Sequence, residues 1–505
     1  MTDRDNFLTQ PGPPRRSRAP GYSRERTWPP IRGARLAGRQ TSRLRWLLPT
    51  LVLGLVFGIA VGLRTWASAA VLGPLALLLV GSALWGRDAT GAALCVSGFF
   101  LAAALSDSFL LPPLTDFSGF VEVVPGKVAP YGLMAVGSIL LLTGSRVRVG
   151  RERRLVPFVL LGAYLGWGGL ALVMGGGSPL GAFRLLQGAI PLATAAILAG
   201  QGRGPWAVRA VVAAAFWYVA LGVYVWITRD PNVDLSFAGP PRLAAYVHPV
   251  FTSFAGAVAL AAAVSAVIRA RSLALTVLWF FGALSAGFVI WASRGRSGFI
   301  AAVVMVVLLS LHQLWSDPKG RARAGILIIS LGGVCVLVRE ALWLWFSRMQ
   351  PDELLTLTGR TDLWRVAGGL VMERPLTGWG PGLLRAGTIA QEIRQSLGFG
   401  GHAHNALFEA ALTAGLPGAL LWLTALLWVG KTLHQDFWLR AGDPMATLCF
   451  ALWGGLVVFS VTEGSPAGFG FGWFVLLALA GQACLPRALP AGFRWRERQR
   501  GMKRR

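Results

Sequence analysis

Residues 249–268 read PVFTSFAGAVALAAAVSAVI, residues 273–292 read LALTVLWFFGALSAGFVIWA, and residues 298–315 read GFIAAVVMVVLLSLHQLW. None of the three contains Asp, Glu, Lys or Arg. Each is close to the roughly 20 residues a helix needs to cross about 30 Å of hydrocarbon. Arg269-Ala270-Arg271-Ser272 joins the first run to the second, and Ser293-Arg294-Gly295-Arg296-Ser297 joins the second to the third. A helix apolar on every side belongs in a protein core or a bilayer. Three in succession, linked by short turns, predict antiparallel membrane spans.

The composition extends this reading to the whole chain. Of 505 residues, 54% are hydrophobic and only 14% charged, with a mean hydropathy of +0.57; a soluble domain carries about 25% charged residues. Collagen-like, disordered and disulfide-framework classes are excluded by the missing G-X-Y period, the apolar content and the four Cys. Further apolar runs fall at 46–63, 66–86, 89–105, 128–144, 155–174, 183–200, 206–227, 324–341, 416–430, 445–462 and 470–485. No short alternating strands of a membrane β-barrel are present. The expected fold is all-α: a polytopic transmembrane bundle of about 12–14 spans with a helical extracytoplasmic cap.

Lys+Arg 48 against Asp+Glu 22 gives a net charge of +26, and its placement orients the bundle. Residues 1–45 form a basic, Pro-rich tail with no apolar core and cleavage site of a removed signal peptide. Residues 486–505 are equally basic. The positive-inside bias places both tails in the cytoplasm, together with Arg146–Arg154, Arg203, Arg209, Arg269–Arg271, Lys319–Arg323 and Lys431–Arg440. That assignment leaves Arg184, Arg229, Arg242, Arg294, Arg296, Arg360, Arg365, Arg374, Arg385 and Arg394 on the outer side, where the bias disfavours them.

Three outer connections are long: 106–127, 228–248 and 342–415. The last carries helix signals. Thr361 or Asp362 is placed to cap a helix with Leu363, Val366, Leu370 and Val371 on one face, Pro375 ends it, and residues 377–382 make a tight turn before a second amphipathic segment near 383–397. The bundle is thus divided into 46–341 and 416–485 by a folded cap over 342–415. His402 and His404 lie at the end of this cap. Three roles are open to them: a neutral imidazole taking a proton from an attacking hydroxyl, metal ligands with Glu409 as a third, or a helix cap. The metal pattern is weak beside the Cys/His spacings of known zinc sites. Cys95, Cys335, Cys449 and Cys484 fall in or at the ends of apolar runs and read as packed thiols, while Gly175–Ser178 lacks the flanking strand of a nucleotide loop.

Four blocks occur in order: Ser293–Gly298, Gly359–Trp364, Glu373–Gly382, and His404-Asn405 followed by Gly415 and Gly418. This series resembles the O-antigen ligase/polymerase superfamily of bacterial integral membrane proteins, over roughly Pro240 to Glu463. The resemblance implies an inner-membrane enzyme that works at the periplasmic face. It transfers a glycan from a polyprenyl-pyrophosphate donor to a lipid- or glycan-linked acceptor. The ligase form uses lipid A–core; the alternative, polymerase form joins carrier-linked repeats. Neither needs nucleic acid, a cofactor or a metal; membrane lipids surround the enzyme, and flippase and chain-length proteins are the implied partners.

Carried onto this chain, the resemblance makes His404 the catalytic base or acceptor-orienting group, with Asn405 holding the loop or a sugar hydroxyl. Arg294 and Arg296 become the pyrophosphate clamp, a role suited to the planar guanidinium fork; their plainer reading is an interfacial anchor pair. Arg360 serves donor or acceptor, or ends a solvated helix. Arg242, a further substrate- or pyrophosphate-binding residue, corresponds to an Arg that precedes a His-Pro pair in relatives, here His248-Pro249, although Val250 stands where Asn is frequent. Arg184 is a further phosphate contact, and His402 a loop or substrate ligand. A transporter is the competing class; it would show internal repeats and midplane charges, whereas the charged groups here gather at one face.

Overall fold

The computed structural model describes residues 87–105, 125–144, 155–175, 177–228, 242–243, 248–316, 360–385, 388–397, 402–439 and 443–485. These form thirteen α-helices with no strand among the described residues. They are α1 (Arg87–Leu105), α2 (Pro125–Gly144), α3 (Val156–Met174), α4 (Pro179–Gly200), α5 (Gly204–Thr228), α6 (Pro249–Val267), α7 (Leu273–Ser293), α8 (Arg296–Ser316), α9 (Arg360–Glu373), α10 (Thr388–Leu397), α11 (Ala406–Leu439), α12 (Pro444–Thr462) and α13 (Phe471–Ala483). Eight of them are long and apolar enough to cross a membrane. The fold is the expected all-α polytopic bundle. The spans read at 46–63, 66–86 and 324–341, and both basic tails, lie outside the described residues.

Each span is delimited by ordinary helix chemistry. Pro follows the cap at the start of α4, α6 and α12, where its missing N–H costs no intrahelical bond. Ser178 and Ser272 accept the amides of Gly181 and Leu275, and Asp443 accepts that of Met445. Small residues bring the helices together: a Cβ on Gly204 would lie 2.3 Å from the Gly481 carbonyl oxygen, the close backbone approach used by helices packing in lipid. Helix α7 is peripheral, burying Ala286, Val289, Ile290, Ala292 and Ser293 while Leu273, Leu278, Phe281 and Leu284 stay exposed to the surroundings. Cys95, Cys449 and Cys484 are buried thiols outside any disulfide.

Helix α13 sits at the centre, buried from Phe471 through Gln482. Its 13 residues rise only about 20 Å, short of the hydrocarbon thickness. The remaining depth is occupied by the irregular segment 463–470, itself almost wholly buried. Non-helical backbone is tolerated at that depth only when protein satisfies its polar groups. Here the Tyr164 hydroxyl donates to the Ala467 carbonyl at 3.0 Å, the Trp422 indole to Pro466 at 3.3 Å, and Ser465 Oγ accepts the Gly472 amide at 3.0 Å.

A second irregularity docks the cap. The sequence places a span from 416, but the helix starts at Ala406 and breaks at Ala414 and Gly415, where Gly415 takes φ 65°, ψ −175°. The cap turn fills the break. Trp379 and Gly380 amides donate to the Leu412 and Thr413 carbonyls at 2.7 and 3.1 Å, and the Leu416 amide donates to Pro375 at 2.7 Å. Trp167 of α3 adds an indole bond to the Leu376 carbonyl at 2.8 Å. A Cβ on Gly415 would come within 2.6 Å of the Leu376 backbone, so glycine is required for both conformation and space. Above this seam the cap has its own small core of Leu363, Ala367, Val371, Leu384, Ile393, Ala403, Ala411 and Leu412.

Candidate active site

Helix α12 ends at Thr462, and Glu463 follows in extended conformation (φ −142°, ψ 138°). It is the sole charged residue between Pro444 and Leu485, and its side chain is 1% exposed. A carboxylate removed from water needs ionic and hydrogen-bonding partners, and three residues from the cap and its hinge supply them. Arg360, first residue of α9, places one guanidinium nitrogen 2.7 Å from Oε1 and donates from the other to the Thr462 carbonyl at 2.7 Å. His404 Nδ1 lies 3.2 Å from Oε2, and His402 Nε2 is 4.0 Å from the same oxygen. Burial pushes the Glu463 carboxyl up, but the charges of His404 and Arg360 and the His404 hydrogen bond outweigh it, holding it well below the usual carboxylate range.

The short segment 402–405 is stretched between fixed points. Ala403 is fully buried; its amide donates to Glu409 Oε2 at 2.9 Å, and its carbonyl accepts the Trp364 indole at 3.0 Å. His404 adopts a left-handed backbone, φ 48°, uncommon for a non-glycine residue and a frequent companion of functional sites. Asn405 caps α11, its oxygen accepting the Leu407 and Phe408 amides at 2.9 and 3.2 Å while its nitrogen donates to Val461 at 2.9 Å. The helix cap that the sequence offered as a role for the histidines thus belongs to Asn405.

A neutral His404 ring that donates Nδ1–H to the carboxylate carries its lone pair on Nε2. His402 Nδ1 accepts the His404 amide at 3.2 Å, and its ring lies 3.9 Å from that of His404 and 5.9 Å from that of Phe251. Burial, then the charge of His404, keeps the His402 imidazole neutral well below its ordinary range. The Phe251 ring also lies 6.0 Å from that of His248, whose Nδ1 accepts the Val250 amide at 3.4 Å. Burial, opposed by the Glu463 charge and assisted by Arg242, lowers its pKa to about 4.

The arginines fall into two groups around this centre. Arg242 Nε donates to the Ser293 carbonyl at 3.2 Å, and the Leu243 amide donates to Ala292 at 3.0 Å, which ties it to the turn bearing Arg294 and Arg296. That turn is tight. Arg294 takes φ 50°, and a Cβ on Gly295 would lie 2.4 Å from Ser253 Cβ, whose hydroxyl donates to the Gly295 carbonyl at 2.9 Å. Arg184 is elsewhere, on α4 beside the cap turn that carries Arg385; the charges of both act on Glu409. Arg365 pairs with exposed Asp362 at 2.7 Å, and Arg374 stacks 4.0 Å over Trp379, so both serve the cap itself. Arg229 and the side chain of Arg394 lie outside the described residues.

Sequence reasoning singled out His404, His402, Arg360, Arg242, Arg294, Arg296, Arg184 and Asn405 but missed Glu463, the residue that joins Arg360, His402 and His404. Its signal was available: one carboxylate in more than 40 otherwise uncharged residues, where a buried charge demands partners. Ligand atoms of His402, His404 and Glu463 lie within 4.8 Å of one another, a spacing compatible with a metal ion. Two features oppose that use. Arg360 brings a positive charge against Glu463, and the amide bond to His402 Nδ1 keeps the proton of the neutral ring on Nε2.

No curated protein matches the chain. Residues 280–423 match the family model described as O-antigen ligase. That stretch holds most of α7, the Ser293–Arg296 turn, the cap, the 402–405 segment and the Gly415 break, and over it the chain is similar to the O-antigen ligase family.

Proposed function

We propose that this O-antigen ligase-family glycosyltransferase moves a glycan from a polyprenyl-pyrophosphate carrier to an acceptor hydroxyl at the outer face of the bacterial inner membrane. The tails 1–45 and 486–505 then lie in the cytoplasm, and the cap at 342–415 covers the site between the bundle segments 46–341 and 416–485. The observation that carries the reading is the chain His404–Glu463–Arg360, with its 3.2 and 2.7 Å links. It orients one imidazole and balances the charge that ring acquires on taking a proton.

In the reaction, the acceptor oxygen attacks the anomeric carbon of the donor glycan while its proton passes to Nε2 of His404. The bond from that carbon to the carrier's phosphate oxygen breaks, and the oxygen keeps the electron pair. Pyrophosphate is a good leaving group, so the enzyme's tasks are to orient the acceptor and to stabilise charge growing on the phosphates. Arg294 and Arg296 perform the second task, with Arg242 fixing their turn and Arg184 a further phosphate contact. Arg360 steadies Glu463, Asn405 holds the loop, and His402 walls the pocket.

Lipid A–core is the acceptor in the ligase form, which the His404, Gly415 and Gly418 spacing favours; in the polymerase form it is a second carrier-linked repeat. The test is transfer by purified protein in nanodiscs, with a polyprenyl-pyrophosphate glycan alone or with lipid A–core, and EDTA in both. Product on lipid A–core establishes the ligase form, and elongated donor the polymerase form. Transfer by His404→Ala at the wild-type rate would remove the base, and EDTA-sensitive turnover would transfer the role of the three close groups to a metal ion.

A further inference from the structure

We infer that the cap turn at residues 374–380 is re-entrant: it dips into the hydrocarbon of the cap-side leaflet. Leu376, at its lowest point, packs there against acyl chains of the bilayer. The inference goes beyond the transfer reaction and does not depend on it.

Helix α3 measures the depth. Its exposed apolar residues Val159, Trp167, Leu170, Val173 and Met174 fall on one face at helical spacing. An exposed apolar stripe of this length on a span is a surface for lipid. The cap turn is pinned to α3 at successive levels. The Trp167 indole donates to the Leu376 carbonyl at 2.8 Å. A Cβ on Gly380 would lie 3.1 Å from Leu172 Cα, and the Pro381 carbonyl stands 3.2 Å from where a Cβ would sit on Gly181, in the first turn of α4. From 376 to 381 the chain therefore climbs along α3 to the end of the span.

On the descending side, Arg374 sends its charge back up. A Cβ on Gly175, just past α3, would lie 3.5 Å from its Nη1, and its guanidinium stacks 4.0 Å over Trp379. A cation reaching back to a helix end beside a Trp marks the headgroup level.

Two helices give the same depth for Leu376. Trp167 is seven residues short of Met174, the last residue of α3, about 10 Å of rise. Helical side chains lean toward the N-terminus, here away from the cap. On α11 the Leu416 amide donates to the Pro375 carbonyl at 2.7 Å. The next charge along that helix is Lys431, about 22 Å further on. Lys431 is exposed and 6.0 Å from the Trp428 ring, the makeup of the far interface. Across about 30 Å of hydrocarbon, that leaves the turn about 8 Å inside the near edge.

The carbonyls of Pro375 and Leu376 are each bonded by a span, as irregular backbone at that depth requires. Leu376 itself is 68% exposed, between α3 and the open Leu416 and Leu420 of α11. Its side chain continues the apolar faces of both spans, so the lipid that covers them covers the turn.

The experiment places a nitroxide on full-length protein in nanodiscs through Leu376→Cys. Val173→Cys and Leu420→Cys are references on the spans and Asp362→Cys on the cap, and the parent gives the background of its four native cysteines. Power saturation with oxygen, which concentrates in hydrocarbon, and with a water-soluble nickel chelate reads the depth. The label at 376 should respond to oxygen as the span labels do, and the chelate should reach only the label at 362. A label at 376 that meets the chelate as freely as the one at 362 overturns the inference, with the turn in water. One shielded from both agents also overturns it, with the turn covered by protein, a second copy included. Chelate at 173 and 420 as well would overturn the span assignment along with it. Independently, Leu376→Asp should lower the melting temperature in nanodiscs and speed proteolysis of the cap, while Leu376→Met leaves both unchanged. An aspartate as stable as the methionine overturns insertion, since a water-facing position tolerates either.

Discussion

Replacing Glu463 by Gln tests the centre of the proposed mechanism with almost no change in shape. In the native site Oε1 faces a guanidinium nitrogen at 2.7 Å and Oε2 faces His404 Nδ1 at 3.2 Å. A glutamine must choose which end to turn each way. Arg360 offers only N–H donors, so the amide oxygen is compelled to face Arg360 and the amide nitrogen to face His404. The imidazole must then present a lone pair at Nδ1, which moves its proton to Nε2. The nitrogen assigned to receive the acceptor's proton becomes occupied, and the ring also loses the negative charge that would balance its protonated form. The analogous Asp-to-Asn exchange behind a catalytic histidine costs about 10⁴ in kcat.

We expect Glu463→Gln to lower kcat by about 10³–10⁴ with donor and acceptor KM little changed, because neither substrate touches Glu463 in this scheme. Loss of the charge partner of Arg360 should also lower the melting temperature, so single-turnover rates are to be measured well below it. Glu463→Asp keeps the charge but withdraws it by one methylene, and should retain more activity than the isosteric Gln. A folded Glu463→Gln enzyme with kcat within about threefold of the parent would refute the argument.

Gly415→Ala places a Cβ 2.6 Å from the Leu376 backbone at φ 65°, ψ −175°; the expected cost is about 2–5 kcal/mol, seen as a lower melting temperature and faster proteolysis of the cap. Gly369→Ala, which meets nothing within 4 Å, is the control and should leave both unchanged. Stability should fall as the pH drops from about 6.5 to 4. His248 and His402 have lowered folded-state values, so below 6.5 the unfolded chain binds more protons than the folded one. Glu463, also depressed, contributes stability above its unfolded value that is lost on further acidification. Melting temperature measured in detergent across this range should therefore decline, and His248→Asn, which keeps a helix-capping side chain, should flatten the decline; a flat parent profile would contradict both assignments.

The spans were legible because hydropathy reports the one property a bilayer demands. Runs read at 206–227, 249–268 and 445–462 are helices at 204–228, 249–267 and 444–462. What hydropathy could not report is where an apolar segment stops being helical. Residues 464–469 contain no charge and fall between the runs read at 445–462 and 470–485, yet they are buried irregular backbone sustained by Tyr164 and Trp422 from distant helices. Gly415 and Gly418 were noticed as a spacing, but the reason for the first is the cap turn that its missing side chain admits, a contact about 40 residues away along the chain. His404 was legible from its motif. Glu463 was not, since its meaning depends on a fold that brings residues 360, 404 and 463 together.

That convergence ties the cap to the proposed chemistry. Arg360 opens the first cap helix, His404 ends the cap, and Glu463 ends a span. None of the three occupies the middle of a helix, so their relative positions are set by how the cap seats on the bundle. The seat is the Gly415 break, where the Leu412 and Thr413 carbonyls accept the Trp379 and Gly380 amides. A cap displaced from that seat would take those bonds from two buried residues and would remove Arg360 from a carboxylate that is 1% exposed. Both penalties act in the same direction and oppose partial undocking. The left-handed backbone of His404, costing of order 1–3 kcal/mol, is sustained by the same contacts, which makes the orientation of its ring a property of the seated cap.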